Sequence, residues 1–259
     1  MTLAESVPLP SADLVPPPSS GRTFTTERTV SIADANPEGR MEFDAMFRFL
    51  QDAGNADTDD AGLPQLGLAW VARRSVIEVL EYPTAREPLT LTTWCSGTSA
   101  RWAERRTSIR GAHGGRVEAA ALWIHIDAAT GRPTKWGDDF ASAYLEAAQG
   151  REVDSKLRHP KRPPEDGANE MAFRFRQTDM DAFRHVNNAA YLAVLEESLG
   201  GHAPPAPLRV EIEWRKPSVA GEALTVLETM GADGVQQWIT ADGEVRATIA
   251  GRPLAQLTG

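Results

Sequence analysis

An ungapped offset of 145 residues carries Asp34 onto Asp179, Met41 onto Val186, Phe47 onto Leu192, Phe49 onto Val194 and Leu50 onto Leu195. Few identities survive, but the order of polar and apolar positions does, which marks the chain as two versions of one folding unit. Phe43, Met46, Phe47 and Leu50 stand at i, i+3, i+4 and i+7, and the same offset yields Asn188, Tyr191, Leu192 and Leu195. The spacing predicts one apolar-faced helix in each half, preceded by a short strand and a polar loop.

After each helix the period drops from 3.6 to 2. Leu208, Val210, Ile212 and Trp214 alternate with Arg209, Glu211, Glu213 and Arg215, the pattern of a strand with one buried and one wet face. Val76–Leu80, Leu89–Thr93, Arg105–Arg110 and Ala119–Ile126 read as further strands of the first half, and Leu224–Glu228, Val235–Thr240 and Val245–Ala250 as those of the second. One helix followed by a meander, repeated, predicts an α+β chain of two antiparallel sheets, each wrapped round a central helix. Pairing the two sheets across the repeat would cover apolar surface and strand edges that either half alone leaves open.

At 259 residues the chain suffices for two such units. Prolines at 8, 10 and 16–18, followed by Ser19, Ser20 and Gly21, rule out a regular element and predict an extended leader over residues 1–22. Arg158-His159-Pro160-Lys161-Arg162-Pro163-Pro164 breaks periodicity again, so the halves are expected at 23–149 and 169–259 with a linker at 150–168. The start of the chain lacks a cationic segment followed by an apolar block, no apolar run nears the ~20 residues of a bilayer span, and Cys95 is the sole cysteine. A cytoplasmic protein without a membrane span is the expectation. Its net charge of −9 argues against nucleic acid as a partner.

Chemistry concentrates in Thr178-Asp179-Met180-Asp181-Ala182-Phe183-Arg184-His185-Val186-Asn187-Asn188-Ala189-Ala190-Tyr191, directly before the second helix. Asp179 has Asp34 as its repeat partner, so it is read as a turn or cap residue. Asp181 and His185 have Asn36 and Arg40 instead. An acid and an imidazole four residues apart exceed what a cap needs and mark the second half as the site-bearing one.

This segment resembles the Asp-x-x-x-His-Val-Asn-Asn-x-x-Tyr loop of hot-dog thioesterases, and the chain from Thr23 onward resembles the acyl-ACP thioesterase family. Gly39-Arg40-Met41, Leu50-Gln51-Asp52-Ala53, Trp70-Val71, Thr93-Trp94, Trp123–Asp127 and Thr130-Gly131-Arg132-Pro133 support it. The resemblance implies a tandem (double) hot-dog fold and hydrolysis of a fatty acyl thioester of acyl carrier protein. It makes Asp181 the general base or nucleophile, His185 its catalytic partner, and Asn187 and Asn188 the substrate-binding candidates, one or the other holding the pantetheine arm or the loop. A thioester needs a base or nucleophile at its carbonyl carbon and donors for the developing oxyanion. A carboxylate supplies the first, and the amides of a helix N-terminus the second. The loop departs from plant-type members, which carry Asn where Phe183 stands and an acidic residue beside Cys where Pro217 and Ser218 stand. A simpler mechanism centred on Asp181 follows.

One active site per chain is expected, at the junction of the halves. Gln51, Asp52 and Asn55 on the first helix lie within its reach but read as solvent-facing. Cys95, on one face with Leu91 and Thr93, reads as a buried thiol, His125 as a core histidine, and His113 and His159 as solvated. No metal-ligand spacing, Walker loop, dinucleotide fingerprint or Gly-x-Ser-x-Gly elbow occurs, so no cofactor is expected. An acidic acyl carrier protein with its phosphopantetheine-linked chain needs a local positive face, for which Arg101, Arg105, Arg106 and Arg110, or Arg158, Lys161 and Arg162, are candidates. An acyl-CoA thioesterase using the same residues and a catalytically silent acyl-binding protein are the competing readings. A monomer or homodimer suits either, since the tandem repeat supplies its own pairing.

Overall fold

The structure, a computed structural model, describes residues 10–63, 70–127 and 129–254. The first half comprises β1 (Thr23–Thr29), α1 (Phe43–Asp60), β2 (Trp70–Glu81), β3 (Pro88–Ser99), β4 (Trp102–Gly111) and β5 (Arg116–His125). After α2 (Asp138–Ala148), the second comprises β6 (Asn169–Phe173), α3 (Ala190–Ser198), β7 (Leu208–Trp214), β8 (Leu224–Gly231), β9 (Gly234–Ala241) and β10 (Glu244–Pro253). The strands form one ten-stranded antiparallel sheet in the order β1-β3-β4-β5-β2-β7-β10-β9-β8-β6. Read outward from its centre, the order of the second half repeats that of the first. The two five-stranded sheets therefore join edge to edge through β2 and β7, from Arg74 opposite Glu213 to Val79 opposite Leu208.

The alternation in β7 explains the layering. Leu208, Val210, Ile212 and Trp214 turn to the inner face, where they join Met46, Phe47 and Leu50 of α1 and Tyr191, Leu192 and Leu195 of α3 in one apolar core. Burying such side chains stabilises by about 1.5–3 kcal/mol each. α1 packs against α3 across the junction. α3 is half the length of α1, 9 residues against 18, because Gly200 and Gly201 follow with φ of 66° and 73° and stop it.

Two expectations need correction. The first half does not carry a single helix, since α2 closes it with Asp138 and Asp139 in its first turn and Tyr144, Ala147 and Ala148 buried. It covers the inner face beside β3, and Phe140 stacks between Trp70 at 5.1 Å and Tyr144 at 5.1 Å. Nor is the outer face wet. Glu78, Arg106, Glu118, Arg209 and Glu213 are all buried there beneath two irregular segments, residues 10–22 and the connection between the halves.

These segments have no ladder of their own, so their backbone groups and acids are free to satisfy the sheet's buried charges. Ser11 N donates to Glu78 Oε2 at 2.9 Å, Asp13 pairs with Arg209 at 2.8 Å, and Arg106 Nε donates to Val15 O at 3.1 Å. From the connection, Lys156 O accepts from Arg74 at 2.7 Å and the Arg158 amide donates to Glu213. His159, expected in solvent, instead meets Thr248 Oγ1 through Nδ1 at 3.0 Å, and burial lowers its pKa. Cys95 is buried as expected, with its thiol pushed up to about 11 by desolvation. His125 is half-buried against Trp70 at 4.9 Å rather than enclosed in the core.

Candidate active site

The two polar loops preceding α1 and α3 have the same conformation, residue for residue, at the 145-residue offset. Each begins with a 3-10 turn, Ile32–Asp34 or Gln177–Asp179. Its acid closes back on the chain: Asp34 Oδ2 accepts from Ser31 N at 3.1 Å and Asp179 Oδ2 from Arg176 N at 2.7 Å. Asp179 is a cap, as its repeat partner implied.

A tight hairpin follows. Asn36 N donates to Arg40 O at 2.9 Å, and Asp181 N to His185 O at 2.8 Å. Asn36 Oδ1 accepts from the amides of Glu38 and Arg40, both at 3.0 Å, while Asp181 Oδ1 accepts from those of Phe183 at 2.9 Å and His185 at 3.2 Å. Both hairpins turn through a left-handed residue, Gly39 at φ 79° and Arg184 at φ 63°. Turn closure asks only for one oxygen, and the neutral amide of Asn36 meets it. The negative charge of Asp181 and its second oxygen are surplus to the turn.

The structure thus ties Asp181 to His185 through the backbone. Their side chains share no hydrogen bond among the described residues, and the imidazole of His185 stands exposed on the loop. Asn187 Oδ1 accepts from Ala189 N at 2.8 Å and so shapes the entry to α3, leaving its Nδ2 to other partners. Asn188 is half-buried directly before the helix. Tyr191, in the first turn, accepts from Ser218 N at 2.9 Å and stacks on Phe175 at 4.8 Å, which anchors the segment after β7 beside the same loop.

The halves differ at the helix N-termini. At α1, Glu196 of α3 reaches across the junction and its Oε1 accepts from Phe43 N at 2.5 Å. Burial, then Asp44 and other acids nearby, push this carboxyl up to about 8. The loop below it is clasped by the segment after α3: Asn36 Nδ2 donates to Gly201 O at 3.3 Å, Arg40 to Ala203 O at 3.2 Å, and His202 Nδ1 meets Glu38 at 2.9 Å. At α3 no side-chain cap bonds from the N-cap residue Ala189. The repeat partner of Glu196 is Gln51, a half-buried amide, with Asp52 and Asn55 exposed near it. Sequence reading missed Glu196. Its signal was available in the offset, which sets an acid against a glutamine on otherwise matched helices.

A carboxylate and an imidazole stand together in the second half alone, in the loop before a helix whose first amides are met by Asn187 from within that loop rather than by an acid from the other half. A helix N-terminus favours developing negative charge, and amides aimed at it in a partly dry site act as an oxyanion hole. The arginines considered for docking do not form one face: Arg105 points inward to Asp57, whereas Arg106 is buried against Glu118 on the outer side. A hollow of about 550 Å³ on the outer face is lined by Asp13, Arg158, His159, Arg209, Glu211 and Arg252. Arg209 in it is already paired with Asp13, Glu78 and Glu211, and no residue of the 178–191 segment lines the hollow.

The sequence matches the acyl-ACP thioesterase N-terminal domain over residues 21–144 and the acyl-ACP thioesterase C-terminal domain over residues 163–252. It is 30% identical over 236 residues to an uncharacterized protein of Mycobacterium tuberculosis, Rv2001, covering 90% of this chain and 93% of that one. It is 29% identical over 148 residues to the chloroplastic oleoyl-acyl carrier protein thioesterase 1 of Arabidopsis thaliana, which covers 52% of this chain and 40% of that one. Among solved structures, an acyl-ACP thioesterase from Bacteroides thetaiotaomicron superposes with TM-score 0.71 at 17% identity, covering 89% of this chain and 97% of that one. The 12:0-ACP thioesterase of Umbellularia californica gives 0.73 at 18%, with 89% and 96% covered. These likenesses establish the fold as a double hot-dog.

Proposed function

The chain belongs to the acyl-ACP thioesterase family, whose chemistry is thioester hydrolysis, and from that premise we propose that it releases free fatty acid from acyl carrier protein at the N-terminus of α3. The observation that carries the reading is the asymmetry between otherwise identical loops. Where Asn36 and Arg40 sit beneath a helix end closed by Glu196 from the other half, Asp181 and His185 sit beneath one whose amide is met from within the loop, by Asn187.

In this scheme the thioester carbonyl rests against the start of α3, where a backbone amide outside the bonds to Asn187 and Ala189 stabilises the oxyanion as it forms. Asp181 keeps its Oδ1 in the turn and presents Oδ2 either to a water, taking its proton as general base, or to the carbonyl carbon as nucleophile. His185 donates to the carbonyl oxygen or orients the water. Asn188 and the Nδ2 of Asn187 hold the amides of the pantetheine arm. When Asp181 acts as base, the proton it took from water passes to the departing thiolate; when it acts as nucleophile, the thiolate leaves first and a water then cleaves the acyl anhydride on Asp181, which frees the fatty acid, restores the carboxylate and supplies the thiol proton.

Thiol release from matched acyl-ACP and acyl-CoA substrates tests the proposal. Preference for acyl-ACP that collapses in Asp181→Asn supports it. Release from acyl-CoA alone would replace the carrier, and a folded protein with no release from either would leave acyl binding as the function.

A further inference from the structure

Glu196 and Gln51 hold the same place in the two halves, one following Asn188 and the other Phe43 by eight residues. β2 and β7 are antiparallel neighbours at the centre of the sheet and each follows its helix in the same way, so α1 and α3 pack against each other in opposite directions. Eight residues of helix rise about 12 Å. With Glu196 of α3 on the amide of Phe43, the same step along both helices sets Gln51 of α1 opposite the amide of Asn188. Packing agrees with this register. Phe47, one turn before Gln51, stacks on Trp214 at 5.4 Å, and the chain beyond Trp214 reaches Ser218, whose amide donates to Tyr191 in the first turn of α3.

The two meeting points are not filled alike. The amide of Phe43 donates to Glu196. The amide of Asn188 donates to no group among the described residues, since Asn187 takes those of Ala189 and Ala190 through its Oδ1 and its carbonyl. Gln51 is half-buried where Asp52 and Asn55 are exposed, and its side chain likewise makes no hydrogen bond among the described residues. A half-buried side-chain amide and a backbone N–H, both unmet and facing each other, suit an acceptor oxygen placed between them. In the first half that oxygen is carried by a carboxylate, so this kind of helix end takes an anionic oxygen. A carboxylate opposite Asn188 would fill the place in the same way. Glutamine instead turns an N–H donor to it and leaves it open.

Resting on the proposed function, we propose that Gln51 is a further catalytic residue: its Nε2 and the amide of Asn188 together hold the thioester oxygen, so that the first half completes the oxyanion hole of the second. As the carbonyl carbon is attacked, an electron pair moves onto that oxygen and both hydrogen bonds strengthen. The pair returns when the thiolate leaves, and neither donor gives up its proton. An acid in place of Gln51 would repel the oxyanion, which is a physical reason for the repeats to differ at this position.

The test measures kcat and KM of Gln51→Ala and Gln51→Glu on the acyl-ACP that the native protein hydrolyses fastest, with the urea midpoint of each variant. Gln51→Ala is expected to lower kcat by about 10²-fold with KM nearly unchanged, because the lost bond strengthens only in the transition state. Gln51→Glu is expected to be the less active of the two and the more stable, its carboxylate taking the Asn188 amide as Glu196 takes that of Phe43. It also serves, being equal in size to the native side chain, if Gln51→Ala does not fold. Native kcat in both folded variants, a loss confined to KM, or activities that simply follow the urea midpoints would overturn the donor role while leaving the hydrolytic reading intact. Absence of hydrolysis by the native protein would overturn the hydrolytic reading. The contact of Gln51 with the carbonyl is then read from calorimetric binding of dodecanoyl pantetheine: binding weakened about tenfold in Gln51→Ala supports it, and equal binding overturns it.

Discussion

At the scale of single residues, the molecule carries its own control for Asp181. Asn36 closes an equivalent turn with a neutral amide oxygen, so Asp181→Asn removes charge without removing the hydrogen bonds that hold the hairpin. Stability of that variant is expected within about 0.5 kcal/mol of native in urea unfolding, while turnover falls by about 10²–10⁴ if Asp181 is the base. A stability loss equal to the activity loss would instead make the residue a structural one. The role of Asp179 was legible in the sequence because Asp34 repeats it. What Asp181 shares with Asn36 was not, since Asn and Asp are interchangeable as turn acceptors and the offset alone shows only a substitution.

Helices and strands were the most legible level, because alternation in Leu208–Trp214 and the 3.6 period of Phe43–Leu50 both follow from burial on one face. α2 was not read, since its apolar positions Phe140, Tyr144 and Ala147 are few and follow a loop rich in turn residues. Contacts between elements were harder still. Glu196 clasps α3 to the start of α1, and its carboxyl is raised from 4.5 to about 8 by burial. An acid whose folded pKa is raised binds its proton more tightly when folded, so its contribution is fully favourable below the unfolded value and is lost as pH rises from about 4.5 through about 8. Glu196→Gln, which still offers Phe43 N an oxygen, is expected to flatten the fall in stability between about pH 5 and pH 8 seen in chemical denaturation of the native protein. Equal pH slopes would contradict the clasp. Within the α1–β4 contact, Asp57→Leu alone leaves Arg105 without its buried partner and is expected to cost roughly 3 kcal/mol. Adding Arg105→Met should recover most of that loss, a coupling that a double-mutant cycle in urea measures directly.

For the whole molecule, one continuous sheet backs three helices on its inner face and is sealed on its outer face by segments without regular structure. Sequence alternation marked Arg209 and Glu213 as solvent-facing because it registers which side of a strand a residue occupies, not what later covers that side. Covering them is the work of Ser11, Asp13 and the 154–160 stretch. Deleting residues 1–20 therefore strips partners from Glu78, Arg106 and Arg209 and is expected to lower stability by about 2–4 kcal/mol. Turnover by the folded fraction should persist, because the loop that carries Asp181 and His185 lies with the helices on the opposite face. Unchanged urea midpoints would show that these contacts contribute nothing. The central claim, that the two halves share a loop but only the second performs chemistry, is tested most directly by kcat/KM on acyl-ACP for the native protein and Asp181→Asn, measured with the unfolding midpoint of each. The account predicts activity lost by about two orders of magnitude or more at an unchanged midpoint; turnover retained in a folded Asp181→Asn protein would contradict it.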